Sequence, residues 1–333
     1  MKMKRICFAM VLFVFGCLFV GGSVEIASAA EEFTMVAIPK LRSAWFDDYE
    51  KGVLRAGEDF GAFTYMQAPA AADEAQQVRL IEDAINQGVN ALLVVPNDAN
   101  SCVPAFSRAR ERGIVVLTHE SPDQPEADFD IEMIDNVKFG ERFVEELVAV
   151  IGETGEYAVF VGSLTVPAHN IWADAAIAYQ KSNYPGLTLV ADRFPVSENR
   201  NDARQRTLEL LTTYPDLKGI IAFGSQGAPG AGQAIRERSL QGKFAIFGTT
   251  SPNEISPFLK DGSVNKAILW SSGDAAYAMT YLAKMILDGK RDEIKQGMTI
   301  PGIGEPQIEG MNILFNNPLV VTQRTWTTTI SKH

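Results

Sequence analysis

The chain reads as an α/β protein of two doubly wound parallel-sheet lobes joined by crossover segments. Three observations predict this. From residue 33 onward, short apolar, β-branched runs alternate with amphipathic stretches, the pattern of strand–helix–strand units whose parallel strands are covered on both faces. The alternation then starts again after residue 150. Once a leader is set aside, about 300 residues remain, enough for two domains with their own cores. No Pro/Gly/Ser-rich linker separates the halves, so several short crossings are expected, with tail segments returning to both.

The first half is read as follows. FTMVAIP (33–39) is a buried strand. A helix over 45–60 carries Trp45, Tyr49, Val53 and Ala56 near helical spacing. AFTYMQA (62–68) is a second strand. The spacing predicts a helix over 73–87, with Asp73 as N-cap and Gly88 as its stop. ALLVVP (91–96) is a third strand, 101–112 a helix ended by Gly113, and IVVLTH (114–119) a fourth strand.

FDIEMI (129–134) is a strand-like connection into a helix over 136–151. Then follow YAVFVGS (157–163), a helix over 169–183, LTLVADRF (187–194), a helix over 202–214, LKGIIAFG (217–224), a helix over 230–240 and FAIFGTT (244–250). After residues 252–260 come VNKAILW (264–270) and a long helix over 273–288. The expected division is a signal peptide over 1–30, one lobe from 31–134 plus 271–301, and a second from 135–270 plus 302–330.

The first 30 residues read as an export signal. MKMKR supplies positive charge, ICFAMVLFVFGCLFVGG an apolar run, and Ala27-Ser28-Ala29-Ala30 a small-residue cleavage site. The apolar run is shorter than a spanning helix wants. Phe15 and the apolar residues after Cys17 fit poorly with lipid attachment there. The protein is therefore expected to be exported and to work outside the cytoplasm. The formal charge is −11, and removal of Lys2, Lys4, Arg5 and Glu25 leaves the mature chain two units more negative. Without a dense basic block, such a chain is not expected to bind nucleic acid or anionic membrane. Of the three cysteines, Cys102 alone lies beyond the leader. No internal disulfide or cysteine metal cage is expected.

In open parallel sheets, ligands bind beyond the carboxyl ends of the strands. The loops there carry Lys40, Trp45 and Phe46; His119 and Glu120; Thr165, His169, Asn170 and Trp172; Ser225 and Gln226; and Trp270 and Ser271. Three of the four tryptophans and both internal histidines fall in this set. Aromatic rings with planar amides and charges suit a small hydroxylated molecule such as a sugar. Removing the Trp172 ring is expected to cost about 1–3 kcal/mol of binding.

Catalytic signatures are missing: there is no G-x-S-x-G, no H-E-x-x-H and no Walker sequence. GSQGAPGAGQ (224–233) lacks dinucleotide spacing and a lysine, so its glycines are expected to serve close backbone approach. No cofactor, no metal and no enzymatic activity are expected.

Six stretches also carry a family resemblance: IPKL (38–41), QVRLIEDAINQGVNALLVVPND (77–98), ARERGIVVLTHES (109–121), TVPAHNIW (165–172), YPDLKGIIA (214–222) and TSPNEISPFLKDGSVNKAILW (250–270). The chain resembles periplasmic sugar-binding proteins of ABC importers, the type I, ribose-binding-like group. Within it, it is most similar to autoinducer-2-binding and rhamnose-binding proteins. The resemblance implies two similar lobes, three crossings, a ligand in the cleft and delivery to a permease. It places Lys40 where autoinducer-2 binders have a ligand-contacting lysine, and Glu120 where they have an aspartate. Their Asp-Gln pair falls on Ala168 and His169, and further aspartates fall on Gly224 and Ser271.

These losses point away from autoinducer-2 and toward another small sugar or polyol. The expected function is a monomeric solute receptor whose lobes close on ligand. An autoinducer-2 receptor or, on the same fold, a sugar-modifying enzyme are the alternatives. The effector half of a transcription repressor shares this fold but lacks an export signal.

Overall fold

The computed structural model describes residues 33–323. The leader expected over 1–30, Cys17 within it and the end of the second lobe beyond 323 lie outside the described residues. Two parallel sheets organise the rest. The first contains β1 (Thr34–Ile38), β2 (Phe63–Met66), β3 (Ala91–Val94), β4 (Val115–His119) and β5 (Phe129–Glu132), in the spatial order β2-β1-β3-β4-β5. The second contains β6 (Gly155–Val161), β7 (Leu187–Leu189), β8 (Phe194–Pro195), β9 (Leu217–Ala222), β10 (Ala245–Gly248) and β11 (Lys266–Leu269). Its order is β7-β6-β9-β10-β11, with β8 also on β6. Both sheets thus follow the same 2-1-3-4-5 winding. It reverses beside the first strand of each, the place where such sheets open a ligand crevice.

Nine helices among the described residues flank them: α1 (Ala44–Phe60), α2 (Glu74–Gln87), α3 (Ala99–Glu111), α4 (Asn136–Ile151), α5 (Pro167–Asn183), α6 (Arg200–Thr213), α7 (Gly227–Glu237), α8 (Pro252–Lys260) and α9 (Ser272–Leu287). Asp73 caps α2 by accepting from the Gln76 N–H at 2.8 Å, and Gly88 ends it in the left-handed region at φ 77°. α2 and α3 cover one face of the first sheet with Ile81, Ile85 and Phe106 against Val36, Leu92 and Val116. α1 and α9 cover the other. α4 and α5 pack together on one side of the second sheet, and α6 and α7 pair on the other.

Three expectations need correction. The run 187–194 forms two short strands, because Asp192 turns outward and Arg193, largely buried, bonds Asp174 and Asn170. The helix expected over 230–240 starts at Gly227. A Cβ at Gly227 would lie 2.1 Å from Ser197 Oγ, and one at Gly230 would lie 2.4 Å from the Arg200 carbonyl oxygen. Those glycines let the backbone of α7 press against α6 and the loop before it.

The third correction concerns the tail, of which 302–330 was assigned wholly to the second lobe. Instead β12 (Gln307–Glu309) and β13 (Asn312–Leu314) extend the first sheet, with β13 parallel to β5. β14 (Leu319–Val321) then joins the second sheet antiparallel to β11. The chain therefore passes between the sheets three times: from β5 to α4, from β11 to α9, and from β13 to β14.

Candidate functional site

β1 delivers Pro39 and Lys40 to the winding reversal of the first sheet. The Lys40 ammonium donates to Glu120 Oε2 at 2.7 Å. It also lies 3.4 Å from Glu198 Oε1 and 2.9 Å from His169 Nε2. Lys40 and Glu120 follow β1 and β4, whereas His169 and Glu198 come from α5 and the loop before α6, around the second sheet. All four side chains are buried, at most 5% exposed.

Glu120 has φ 60°, a left-handed conformation that a non-glycine residue holds only when its surroundings enforce it. Its carbonyl accepts the Ala168 N–H, from the first turn of α5, at 3.2 Å. At the rim, Thr165 Oγ1 donates to Glu74 Oε1 at 2.9 Å. The two lobes are thus in direct contact around the cluster.

Burial alone would lower the Lys40 pKa, but Glu120 and Glu198 outweigh it and hold the ammonium above its ordinary value. Burial raises the Glu198 carboxyl against the pull of Lys40. Burial, followed by the Lys40 charge, holds His169 well below the usual imidazole range, so its ring is neutral. The Gly162 N–H donates to His169 Nδ1 at 3.0 Å.

The tryptophans wall this polar group. Trp270 meets Trp45 edge-on at 5.1 Å and Trp172 at 5.4 Å between ring centres. Trp172 lays its face on the His169 ring at 5.2 Å, and its Nε1–H donates to Asn136 Oδ1. Trp270 Nε1–H donates to His119 Nε2 at 3.1 Å, while His119 Nδ1 bonds the Ile131 carbonyl. Lys40, Trp45, Glu120, His169, Trp172, Gly224, Ser225, Thr249 and Trp270 enclose a cavity of about 10 Å³, room for one water. In this closed arrangement the protein's own side chains fill the gap. A larger groove of about 290 Å³ lies on the far side of Trp45 and Trp270. It is edged by the exposed ion pairs Lys51–Asp48 and Arg55–Asp274, so the buried cluster is the better candidate.

Of the residues expected at the cleft, the structure brings together Lys40, Trp45, Glu120, His169, Trp172, Ser225 and Trp270. It places the others elsewhere. Phe46 is in the core against Tyr49, because it points from α1 toward the sheet. His119 sits behind Trp270. Asn170 bonds the carbonyls of Ser163 and Val166 and holds Arg193. Gln226 turns to Glu254, Ser271 caps α9 and Thr165 lies at the exposed rim.

Residues 34–291 match a sequence family described as a periplasmic binding protein domain. The chain belongs to that family. As a periplasmic binding protein it is similar to a D-ribose/D-allose-binding protein of Pseudomonas aeruginosa, with 26% identity over 68% of this chain and 72% of that one. It is also similar to a D-allose-binding periplasmic protein of Escherichia coli, with 24% identity over 83% and 88% of the two chains. Among solved structures, LsrB from Clostridium saccharobutylicum in complex with AI-2 shares the fold. Its TM-score is 0.82 at 24% identity, over 89% of this chain and 99% of that one. An ABC transporter solute-binding protein from Clostridium phytofermentas with bound L-rhamnose does so with a TM-score of 0.83 at 20% identity, over 91% and 100% of the two. The expected lobes and winding of a type I binding protein are what the fold shows.

Glu198 was missed in the sequence reading of this binding protein's site. It follows β8, a two-residue strand that the run 187–194 hides in the sequence. A second acidic pair lies beside the first crossing. Asp130 and Glu132 share a face of β5 and are buried, with the Glu132 carboxyl set against that of Asp130. Burial, then the Asp130 charge, pushes the Glu132 carboxyl well above its ordinary range. The stability this group leaves intact in acid is therefore lost as pH rises from about 4.5 toward the raised folded value. Glu132→Gln is expected to melt higher than the parent by at least ~2 °C at pH 8. The gap should close by pH 5. Scanning calorimetry across that range checks it, and a pH-independent gap would refute the assignment.

Proposed function

We propose that this periplasmic binding protein is exported and captures a small sugar or polyol between its lobes for delivery to the permease of an ABC importer. The observation that carries the reading is the Lys40–Glu120–His169–Glu198 cluster. It joins hydrogen-bonding groups from both lobes inside a tryptophan wall, at the winding reversals of the two sheets. A hydroxylated ligand can replace each of these polar contacts, and the flanking indoles exclude water from them. With only about 10 Å³ left in the closed form, the ligand enters an open form, and its contacts to both lobes favour closing. The relatives named for ribose, allose and xylose binding support a sugar.

Export through a cleaved leader, a monomeric state and binding without chemical change belong to the same proposal. So does the division of the chain at its three crossings. No helix among the described residues is long and apolar enough to cross a membrane, and none of their His, Cys, Asp and Glu side chains group in threes fit to hold a metal.

Thermal-shift screening tests the reading directly, since a ligand that binds the folded state raises the melting temperature. D-ribose, D-allose, D-xylose, L-rhamnose, D-arabinose, D-tagatose, common polyols and autoinducer-2 form the panel. At least one sugar or polyol is expected to shift the transition and to be recovered unaltered. Silence across the panel, or turnover of the hit, would refute the sugar-receptor reading. A shift with autoinducer-2 alone would replace it with the signal-receptor alternative.

A further inference from the structure

Two donors face each other in the closed cleft. The Gly162 N–H occupies the lone pair of His169 Nδ1 at 3.0 Å. In the neutral ring the proton must therefore sit on Nε2, which becomes a donor. That Nε2–H points at the Lys40 ammonium, 2.9 Å away, and an ammonium has no acceptor to offer. Two donors at this separation repel one another, and an acceptor oxygen between or beside them relieves the contact. The carboxylates flank this point from opposite lobes, with Glu120 Oε2 3.9 Å and Glu198 Oε1 3.7 Å from Nε2. Glu198 also accepts from Ser225 Oγ at 3.3 Å, which fixes its second oxygen and leaves the first turned to the cleft.

The geometry points to Glu198 as a specificity-determining residue that reads a ligand hydroxyl from the second lobe, beside a single ligand oxygen clasped by Lys40 and His169. This inference rests on the sugar-receptor reading and adds what that reading leaves open, namely which side chain selects and against what. An oxygen inserted between Lys40 Nζ and His169 Nε2 accepts from both and removes their donor–donor contact. The hydroxyl protons of the same or adjacent carbons then go to Glu120 and Glu198. Counted together, one ammonium and two carboxylates leave the lining negative by one charge, since His169 is neutral. A ligand carboxylate would meet Glu198 at close range in a dry pocket, where like charges repel strongly. The ligand class is accordingly a neutral polyhydroxylated compound, with the corresponding sugar acid rejected.

Isothermal titration of the full mature chain tests this, with D-ribose, D-allose, D-xylose and L-rhamnose as neutral probes and D-ribonate, D-allonate, D-xylonate and L-rhamnonate as their acids. The parent is expected to bind at least one neutral probe and to bind its acid at least about a hundredfold more weakly. Glu198→Gln is expected to lose about ten- to hundredfold for the neutral probe, the worth of a charge-assisted hydrogen bond, and to narrow the neutral-to-acid ratio. Glu198→Asp keeps the charge but shortens the reach. It should bind the neutral probe more weakly while retaining the parent's rejection of the acid, and it serves as the control if Glu198→Gln folds poorly. Unchanged affinity and unchanged ratio in Glu198→Gln, or acid rejection lost in Glu198→Asp, would overturn the assignment while leaving the receptor reading intact. A parent that binds acids best overturns it as well. A parent that binds no probe of either kind brings down both.

Discussion

Trp172→Ala is expected to lower the melting temperature by roughly 6–20 °C. The indole is fully buried. It packs edge-on against Phe139 at 5.0 Å and Trp270 at 5.4 Å, and lies against Phe223 and His169. Truncating a buried tryptophan costs about 3–5 kcal/mol through lost burial and the cavity left behind, and for a chain of this size each kcal/mol moves the transition by roughly 2–4 °C. The substitution also frees Asn136 Oδ1, at the start of α4, where the chain has just crossed between the sheets. A loss of binding in this variant is therefore an effect on the fold as well as on the cleft, larger than the contact term of 1–3 kcal/mol expected from sequence. Calorimetry with and without ligand separates the two. A transition within ~2 °C of the parent's would mean that the aromatic junction contributes little to cohesion.

Lys40→Met is expected to open the protein at neutral pH. Without the ammonium, Glu120 of the first lobe and Glu198 of the second face one another across a buried gap with no countercharge. Removing one partner of such a cluster costs about 3–5 kcal/mol if the remaining charges stay buried, and separating the lobes hydrates both. Small-angle scattering at pH 7.5 should give a larger radius of gyration than for the parent. The sign of the pH effect follows from the carboxyls. Glu198 is already raised by burial with Lys40 present, and losing the ammonium raises it further. The closed form of the variant is therefore favoured in acid and lost as pH rises through that shifted value. Lowering the pH toward 5 should restore the parent's compactness. An unchanged radius at pH 7.5 would show that Lys40 does not hold the lobes together.

The fold was legible where periodicity and capping act locally. The helix over 136–151 was read to the residue, and Asp73 and Gly88 bound α2 as their chemistry requires. The three tail strands were not, because β12, β13 and β14 are only three residues each and take their identity from β5 and β11, remote in sequence. At the site, the rule that selects strand ends found Lys40, Glu120, His169 and the three tryptophans, since it depends only on topology. It also selected Asn170 and Ser271, whose polar groups are consumed by nearby backbone, a choice that alternation of strands and helices does not encode. Glu198 escaped because β8, which carries it to the cleft, is a two-residue strand whose pairing with β6 the sequence does not mark.

The tail strands also bear on how the molecule is made. The free edge of β5 is covered by β13, and that of β11 by β14. A chain that has emerged only as far as residue 305 holds all nine of the α-helices described, yet β5 and β11 still carry an open strand edge. Neither half can be finished ahead of the other, because their last pieces arrive within fifteen residues of one another, at 307–321. Closing both sheets therefore waits on this one short segment, and the two open edges depend on it together.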